Sequence, residues 1–402
     1  MKKSVLSILT ASAAFTLIAA PVVRENSVTM SQSGGVVTIG YTLEGDAGIV
    51  TVDIQTNGVS IGSENLSFMA GDVNKVVQPG ARTITWKPYK AWPDNSAASA
   101  RAVVSAWATD APPDYMVVSL AADNSVRYFA TAEEVPFGVT DDRYKTEYLL
   151  LRKVPAANVE WRMGSPSTER WRESSREVPR LVTLSDDYYI GVYEVTQKQY
   201  AMIYGSNPST YTADGDMKPV EKCWFDHLRG AAGSGYDWPN NGHAVSSDSF
   251  FGKLRAKSGV TGFDLPTEAQ WEFACRAGCG AGLYSGKEDI GWDTDANVAE
   301  LAVNGYGSLT STDTVGLKLA NAWGLYDMLG NVQEWVLDWL TDAPDGGTDP
   351  TGPASGSHRI LRGGHYGSKA QDCRCASRSF MVPNWSTSEI GFRVACSIPI
   401  QQ

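Results

Sequence analysis

The sequence is poor in histidine and in positive charge. Only four His occur among 402 residues, and none is four positions from another, so a helical pair of His metal ligands is not indicated. Lys and Arg number 34 against 45 Asp and Glu, which gives a net charge of −11. Because phosphate binding needs a basic surface, this balance argues against nucleic acid as a partner. Peptides, sugars and cations remain as classes of ligand.

Long apolar runs are absent after the first 20 residues. Within those residues, a basic start at Met1–Lys3 precedes an apolar run from Val5 to Ala20 that ends in small residues suited to cleavage. This order is typical of a secretory signal peptide, which we predict at residues 1–20. A membrane anchor is the alternative, but the run is short for the ~20 residues that span a bilayer. We therefore expect a secreted, periplasmic or cell-envelope protein with no membrane span after signal cleavage.

Cysteine is scarce, and its spacing shows no CxxC…CxxC pattern of a zinc site. Export makes oxidation of these cysteines possible, and six of them allow 15 pairings. The sequence favours two or three structural disulfides and leaves their connectivity open. The six are Cys223, Cys275, Cys279, Cys373, Cys375 and Cys396.

Glycine and tryptophan are plentiful, with 39 Gly and 13 Trp, which favours a loop-rich fold with large aromatic anchors. Apolar and polar residues alternate over 37–43, 50–54 and 83–86, and turn residues separate these runs. Such alternation predicts an antiparallel β-sandwich over residues 24–110. No catalytic cluster falls there. We expect a structural or adhesive module, with carbohydrate binding as the alternative.

The second domain is predicted over residues 148–402, after a connector over 111–147. Two helices in it have clear start signals. Thr196 is a suitable N-cap for a helix from Gln197 to Tyr204. Thr267 opens another helix with the spacing of a capping box. The whole chain is therefore predicted as α+β, with the β-sandwich first and a loop-rich domain second.

One stretch, from Asn321 to Trp339, carries three Trp and one Tyr among acidic and amide side chains. No helix or strand period runs cleanly through it, and Gly324 and Gly330 interrupt it. So much aromatic surface in an irregular segment predicts a buried loop. Because a buried loop must satisfy its own polar backbone groups, we expect carboxamides, carboxylates or a bound cation to do so.

Several motifs follow one another between residues 150 and 398. They include Asp264-Leu-Pro-Thr-Glu-Ala-Gln-Trp-Glu-Phe273, Gly330-Asn-Val-Gln-Glu-Trp335, Leu361-Arg-Gly-Gly364 and Gly391-Phe-Arg393. With them the segment resembles the formylglycine-generating enzyme family, also called sulfatase-modifying factor domains. The resemblance implies a compact, loop-rich variant of the C-type lectin fold. It also implies an activity, the oxidation of a sulfatase cysteine to formylglycine with oxygen and a copper(I) ion held by two thiolates.

The catalytic positions of the family can be placed on this chain, and one of them has changed. The two active cysteines fall on Ser368 and Cys373, and a family serine falls on His365. The loop is also shorter than in the family, because Cys373 directly precedes Arg374. A hydroxyl at Ser368 is a poor copper(I) ligand, and Cys375 as a substitute would point to the opposite face of a strand. His365, Ser368 and Cys373 are the candidate catalytic residues, with copper as cofactor only for a catalytic protein.

Functions of different classes therefore compete. One is a secreted formylglycine-generating oxidase. Another is a non-catalytic lectin-like module that binds a protein, a peptide or a carbohydrate, and a structural scaffold is a third interpretation. In lectin-like relatives, the segment between the Gly-Gly and Gly-Phe-Arg motifs forms a variable binding surface. Its counterpart here contains His365, Tyr366, Lys369, Gln371, Asp372, Asn384 and Trp385.

The resemblance also implies calcium as a cofactor. One site would take side-chain oxygens from Asp327 and Glu334, and backbone carbonyls from Gly330 and Val332. Ligation by oxygen alone from a tight loop is typical of a hard cation. The alternative is that the two carboxylates only cap backbone amides.

A second calcium site of the family would use Asn297 and the carbonyl of Val298. Its later acidic ligand has no clear counterpart in this sequence. Asp313 is the nearest acid, and it lies at a different spacing.

The family's disulfides join the helix after the Leu-Pro-Thr-Glu motif to the C-terminal strands. By that pattern we expect a Cys275–Cys396 disulfide, with Cys279–Cys375 as its companion. On a structural interpretation, Cys373 is a disulfide partner or a buried thiol.

Overall fold

The structure is a computed structural model that describes residues 19–400, except 97–98, 122–124, 232, 289 and 343. The predicted signal peptide therefore lies almost entirely outside the described residues. Within the described ranges, no helix is long and apolar enough to cross a membrane.

The N-terminal part forms two antiparallel sheets. In the long strand β3, alternate residues from Val37 to Leu43 are buried, as the alternation predicted. A single hydrophobic core contains Ile39 of the first sheet and Val50 of the second sheet. The antiparallel strands agree with the prediction, whereas the two-layered sandwich stays a prediction. The first sheet contains β1 (Val22–Val23), β2 (Thr29–Ser33), β3 (Val36–Glu44), β6 (Met69–Gly71) and β8 (Gly80–Trp86); the second contains β4 (Gly48–Thr56), β5 (Val59–Ser60), β7 (Val76–Val77) and β9 (Ala100–Ala108), and helix α1 covers Pro88–Ala91.

A six-stranded antiparallel sheet forms the middle of the structure, in the order β11-β10-β12-β15-β24-β16. Met116 of β10 pairs with Leu151 of β12, so strands on both sides of the predicted boundary at 147/148 belong to one sheet. Residues of the predicted connector thus share a sheet with the second domain. The strands are β10 (Tyr115–Ser119), β11 (Val126–Phe129), β12 (Tyr148–Val154), β15 (Tyr188–Gly191), β16 (Phe263–Asp264) and β24 (Ala395–Ser397).

Among the described residues of the second domain, three smaller sheets and five α-helices complete the fold. These strands and helices are short, and most of this part of the chain is loop, as the glycine content predicted. The strands are β13 (Val159–Met163), β14 (Arg180–Leu184), β17 (Ala302–Val303), β18 (Leu329–Gly330), β19 (Gln333–Trp339), β20 (Gly347–Thr348), β21 (Arg359–Arg362), β22 (Arg378–Met381) and β23 (Ile390–Gly391); the helices are α2 (Gln197–Tyr204), α3 (Phe225–Arg229), α4 (Phe250–Ser258), α5 (Glu268–Arg276) and α6 (Ala296–Leu301).

Capping interactions near their ends define helices α2 and α5, which position the candidate site. The Thr196 side chain accepts from the backbone of the third helical residue, and the full capping box forms at the start of α2. The same box forms at Thr267, where α5 begins. Helix α5 ends at Arg276, and its C-cap residue Ala277 adopts a left-handed φ of 45°. These boxes satisfy backbone N–H groups that a helix leaves free at its start.

The stretch from Asn321 to Trp339 is buried, as expected, but only its first half is irregular. The second half is strand β19, so the prediction of a loop throughout was wrong. Asn321 supplies the predicted carboxamide. Its Nδ2 donates to the carbonyl of Ala274 at 2.7 Å, and its Oδ1 accepts from the Leu325 amide at 3.1 Å.

Candidate functional site

The loop over residues 365–373 carries the predicted catalytic residues and leaves β21 through two glycines. The backbone amide of His365 donates to the Ser368 hydroxyl at 3.0 Å, and the Ser368 amide donates back to the His365 carbonyl at 2.8 Å. These two bonds close a tight turn. A Cβ added at Gly364 would lie 2.9 Å from the Cys373 sulfur, so the thiol packs directly beneath that glycine.

Cys373 is fully enclosed by the protein. Burial raises the pKa of its thiol well above the ordinary range, with a smaller contribution from Asp372. Because the thiolate is the reactive and metal-binding form of cysteine, a neutral buried thiol is poorly suited to either role.

His365, next to Gly364, carries a neutral imidazole. Burial lowers the pKa of His365, although Glu389 stands 4.0 Å from Nδ1. The Gly367 amide donates to the same Nδ1 at 3.2 Å, so Nδ1 is the acceptor of the ring and Nε2 carries the proton. The structure therefore brings His365 and Ser368 into one turn and packs the Cys373 sulfur against Gly364.

All six cysteines are free thiols, and neither predicted disulfide forms. The Cys275 sulfur faces the Met328 carbonyl at 3.9 Å, and Cys375 is near enough to add to the rise that burial causes in the pKa of Cys275. Cys396 belongs to the six-stranded sheet, and its sulfur lies 3.7 Å from the Ser397 carbonyl. The Cys279 sulfur faces the carbonyl of Leu283 at 3.5 Å. The disulfide partners were predicted from the positions of cysteines in the family. Cys396 lies two residues beyond the family's cysteine position, which directly follows Gly-Phe-Arg, so it occupies a different place from the family cysteine.

The predicted calcium ligand Glu334 is already saturated. Its Oε1 accepts from Arg393 Nη2 at 2.6 Å and from Nε at 2.9 Å. Its Oε2 accepts from Arg393 Nε at 2.7 Å and from Trp271 Nε1 at 2.7 Å. A carboxylate has about four lone-pair sites, so these contacts leave Glu334 no free direction. Glu334 does not fit a calcium ion while this ion pair is intact.

Asp327 does offer a free oxygen. Its Oδ2 accepts from the Gly316 amide at 2.6 Å, while Oδ1 is buried and has no hydrogen-bond partner among the described residues. Burial raises the pKa of Asp327 to about 6. An orphaned buried oxygen of this kind fits a cation. The calcium prediction thus keeps one of its two carboxylates and stays a prediction.

Sequence reasoning missed Glu194, a buried acid in the same region. Its Oε1 accepts from the Val332 amide at 3.1 Å, and its Oε2 accepts from Asn331 Nδ2 at 2.8 Å. Burial and the nearby Asp327 and Glu334 raise the pKa of Glu194 well above its usual value. Gly330 belongs to strand β18, beside β17. No group of three or more His, Cys, Asp or Glu side chains among the described residues is arranged to hold a metal ion.

The residues predicted for the second calcium site begin α6. Asp295 caps this helix, and its Oδ1 accepts from the amides of Asn297 at 2.8 Å and Val298 at 3.2 Å. The Val298 carbonyl accepts from the amide of Ala302 within the helix. Asp313 is tied instead to Asn331, whose Oδ1 accepts from its amide at 3.0 Å. The second site therefore stays a prediction.

An exposed aromatic patch lies beside the 365–373 loop. Trp292 and Tyr306 are each 49% exposed and flank Lys369, whose Nζ lies 4.8 and 4.6 Å from the two ring centroids. Asp293 holds this ammonium at 2.9 Å. The amide of Ala370 donates to the Asp293 carbonyl at 3.0 Å, which fixes the patch to the loop.

Two further tryptophans are exposed near the C-terminal segment. Trp385 is 59% exposed and Trp224 is 39% exposed. The Asp226 amide donates to the Pro383 carbonyl at 3.3 Å, so the two tryptophans lie on neighbouring segments. Trp224 stacks on His227 with ring centroids 4.7 Å apart.

The Gly305 amide, next to Tyr306, donates to the Tyr366 carbonyl at 2.8 Å, and the Tyr366 hydroxyl lies 3.4 Å from Ser388 Oγ, three residues after Trp385. Contacts therefore connect the segments of the two groups, and we call Trp292, Tyr306, Lys369, Trp224 and Trp385 together the aromatic face.

The residues of the predicted variable surface are only partly exposed, and their role in binding stays a prediction. Asn384 and Trp385 are exposed, while Gln371 and Asp372 are half-buried. Tyr366 is only 6% exposed, and its hydroxyl lies 2.9 Å from that of Tyr211, so its ring packs inward. No sequence signal singled out the exposed rings contributed by other loops, because solvent-facing and core aromatics look alike in a sequence.

A known family model matches this part of the chain. The model, described as a sulfatase-modifying factor enzyme 1-like domain, covers residues 154–398, more than half of the chain. The protein therefore belongs to the sulfatase-modifying factor family, and the resemblance seen in the motifs is confirmed.

Individual relatives differ in their names. The chain is 30% identical over 241 residues to the chaperone protein LppX of Paenibacillus barcinonensis, covering 54% of this chain and 82% of that protein. It is 27% identical over 277 residues to the formylglycine-generating enzyme of Thermomonospora curvata, covering 58% and 90%. The solved structure of Treponema denticola variable protein 1 has a TM-score of 0.51 at 28% identity, covering 62% of this chain and 95% of that one.

Proposed function

We propose that this chain is a secreted, non-catalytic recognition member of the sulfatase-modifying factor family, which binds a protein or peptide through the aromatic face. One observation carries the proposal. The only cysteine at a catalytic position, Cys373, is fully enclosed beneath Gly364, and the other position holds Ser368.

The residues of the loop do not fit a copper(I) ion. Copper(I) prefers soft thiolates, whereas Ser368 has a hydroxyl that already accepts from the His365 amide. Burial holds the Cys373 thiol in its neutral form by raising its pKa. Cys375 is not a substitute, because its side chain is fully buried in the core. The loop therefore serves to support the neighbouring surface.

The chemistry of the aromatic face suits a polypeptide. Large rigid rings such as Trp292 and Trp385 provide contact area at a low cost in conformational entropy, and they are enriched among residues that dominate binding energy. Lys369 and Asp293 add a paired cation and anion that can bond to backbone groups at the rim. Carbohydrate is the alternative ligand, since exposed rings also stack on sugars.

Two relatives support this choice. One carries the name of a chaperone protein, which points to a polypeptide ligand for that relative. Another is a variable protein, whose name does not denote an enzyme. The same family also contains the formylglycine-generating enzymes, so the competing oxidase function has to be tested directly.

The oxidase function is tested by incubating the full chain with copper, oxygen and a Cys-x-Pro-x-Arg peptide, followed by mass spectrometry. We expect an unchanged peptide mass. A mass change that depends on the protein and on Cys373 would overturn the proposal.

Binding is tested by selecting a displayed peptide library and probing a glycan array with the same protein. We expect peptides that bind the wild type and lose at least tenfold in affinity with Trp292→Ala or Trp385→Ala. Tyr89→Ala is the matched control, since Tyr89 is a 55% exposed ring in the N-terminal part. Binding to sugars alone, or binding that Tyr89→Ala weakens equally, would contradict the choice of ligand or of surface.

A further inference from the structure

A cleft lies where the N-terminal sheets meet the hairpin of β10 and β11. Its volume is about 380 Å³, which is within the roughly 300–1,000 Å³ typical of ligand sites. One wall is the outer face of strands β4 and β9, and the other is strand β11 with the loop that follows it. No residue of the aromatic face is among the described residues that line it, so the cleft is a separate surface.

The first wall follows from the alternation of residues along β4 and β9. Ile49 and Trp107 lie opposite each other and pack against the core of the family domain. Further along the same face, Thr51 pairs with Ser105, and Asp53 follows two residues later. Since every second residue of a strand lies on one face, this face changes from apolar to polar along its length. The polar part lines the cleft.

The second wall is the open edge of the six-stranded sheet. Strand β11 is the first strand of that sheet and pairs with β10. The Ser119 amide donates to the Ser125 carbonyl at 2.8 Å, at the start of this pairing. In an antiparallel pair such bonds recur at every second residue, so Arg127 and Phe129 also bond to β10. The residues between them turn their backbone groups to the other side.

Tyr128 faces the cleft in this way. Its N–H and C=O point away from β10, and they have no hydrogen-bond partner among the described residues. Two residues later, the Ala130 amide points the same way and donates to Glu134 Oε2 at 2.8 Å. Tyr128 is only 3% exposed. Because buried backbone groups need hydrogen bonds, this edge fits a further strand.

The charges of the cleft are mostly negative, which favours a cationic ligand. Of the described residues that line it, four are acidic and one, Arg127, is basic. Arg127 Nη2 donates to the Ser63 carbonyl at 2.8 Å, which ties the two walls together. Asp53 accepts from neutral groups, Ser60 Oγ at 2.6 Å and Gln55 Nε2 at 3.1 Å. The four acids are Asp53, Glu64, Glu133 and Glu134.

We propose that the cleft binds an extended basic segment of a polypeptide, which adds to β11 as a further strand. The Tyr128 amide donates to this segment and the Tyr128 carbonyl accepts from it, while the carboxylates attract its Lys or Arg side chains. Main-chain bonds of this kind provide affinity, and side-chain contacts provide specificity. Trp107 and Phe129 add apolar surface to the lining. The inference does not rest on the proposed function, because it concerns another surface of the chain.

Binding is tested with the full chain and a fluorescein-labelled Lys-Val-Lys-Val-Lys-Val peptide, followed by fluorescence anisotropy. A strand places alternate side chains on opposite faces, so this repeat presents both a basic and an apolar face. A Glu-Val peptide of equal length reverses the charge, and a Lys-Val peptide with methylated backbone amides removes the donors. We expect each of these two peptides to bind at least about tenfold more weakly.

Charge variants identify the surface. Asp53→Asn combined with Glu134→Gln should weaken binding of the Lys-Val peptide by roughly threefold to tenfold, because two charges of the cleft are lost. The new amide oxygens keep the hydrogen bonds that the carboxylates accept. Glu25→Gln combined with Asp46→Asn is the control, since both residues are exposed and lie outside the cleft. Equal losses for the two double variants would contradict the assignment of the site.

Hydrogen exchange followed by NMR tests the backbone contact. The bound peptide should slow exchange of the Tyr128 amide by about tenfold or more, because that amide gains an acceptor. The amides of Arg127 and Phe129 already donate to β10 and should not change. Unchanged exchange at Tyr128 with the peptide bound would rule out strand addition.

Other occupants of the cleft give different results. If Trp292→Ala weakens binding of the Lys-Val peptide and the Asp53 and Glu134 variant does not, the aromatic face binds it, which overturns this inference and leaves the proposed function standing. A dimer in which the Tyr128 amide is protected without peptide would identify a second copy of the chain as the occupant. That result, or no binding of the Lys-Val peptide, would overturn the proposal.

Discussion

Arg393 and Glu334 form an enclosed ion pair at the centre of the family domain, with Nη2 and Oε1 2.6 Å apart. The guanidinium is 0% exposed and the carboxylate residue 1%. The same guanidinium donates to the carbonyls of Gly191 and Tyr326, both at 2.9 Å. One side chain therefore joins strand β15 and the Asn321–Trp339 stretch to the C-terminal segment.

Arg393→Met is expected to destabilise the protein by about 3–5 kcal/mol, because it leaves the buried Glu334 carboxylate without its partner. Urea unfolding followed by circular dichroism measures the loss. Arg24→Met is the control, since the Arg24–Glu44 pair has side chains that are 59% and 43% exposed. Exposed pairs contribute about 0–1 kcal/mol, so equal losses for the two variants would contradict the central role of Arg393.

Asp338 makes stability depend on pH. Burial and the nearby Glu268 raise the pKa of Asp338 from 3.8 to about 7. Between these values the folded protein keeps a proton that the unfolded chain releases, so the free energy of unfolding falls as pH rises from about 4 to 7. A difference of about three pKa units between the folded and the unfolded state corresponds to a change of roughly 4 kcal/mol in the free energy of unfolding.

Asp338→Asn should remove this contribution, because the amide stays neutral and its oxygen still accepts from the Glu268 amide, a bond of 2.7 Å in the wild type. Urea unfolding at several pH values between 4 and 7 gives the slope for both proteins. Asp342→Asn is the control, since the Asp342 side chain is 74% exposed. Equal slopes for the wild type and Asp338→Asn would show that Asp338 does not titrate in this window.

The parts of the fold that were predicted depend on local signals. Helices α2 and α5 begin where Thr196 and Thr267 predicted, because a capping box involves residues only three positions apart. Strand β19 was missed, since its seven residues are almost all buried and therefore show no alternation. Buried strands of this kind lack the period that identifies half-exposed ones.

The site was predicted less completely, because its contacts join distant residues. Arg393 saturates Glu334 from 59 positions away, and neither motif alone indicates that the carboxylate is unavailable to a cation. Likewise, family position suggested Cys396 for Cys275, whereas the Cys275 sulfur faces the Met328 carbonyl at 3.9 Å and both cysteines are free thiols. The motifs identified the residues of the candidate site, whereas the contacts between those residues are seen only in the structure.

Calcium is tested at Asp327, whose Oδ1 is the orphaned oxygen. We expect calcium to raise the Tm of the wild type, with about 3 kcal/mol of added stability at a concentration 100 times Kd. Asp327→Asn should abolish this response, because the amide removes the charge that neutralises the ion. Asp313→Asn is the control and should keep it. A wild-type Tm that is the same in millimolar calcium and in EDTA would end the calcium prediction.

Ser368→Cys restores the second family cysteine and separates the two proposed functions most sharply. We expect no oxidation of a Cys-x-Pro-x-Arg peptide by this variant, because Cys373 remains enclosed beneath Gly364 and its burial keeps the thiol neutral. Copper content is measured on the same sample, so that failure to bind the metal is distinguished from failure to react. Ser377→Cys, in the neighbouring segment, is the matched control for an added thiol. A peptide mass change with Ser368→Cys alone would mean that one hydroxyl accounts for the loss of the family activity, and that the shorter loop does not.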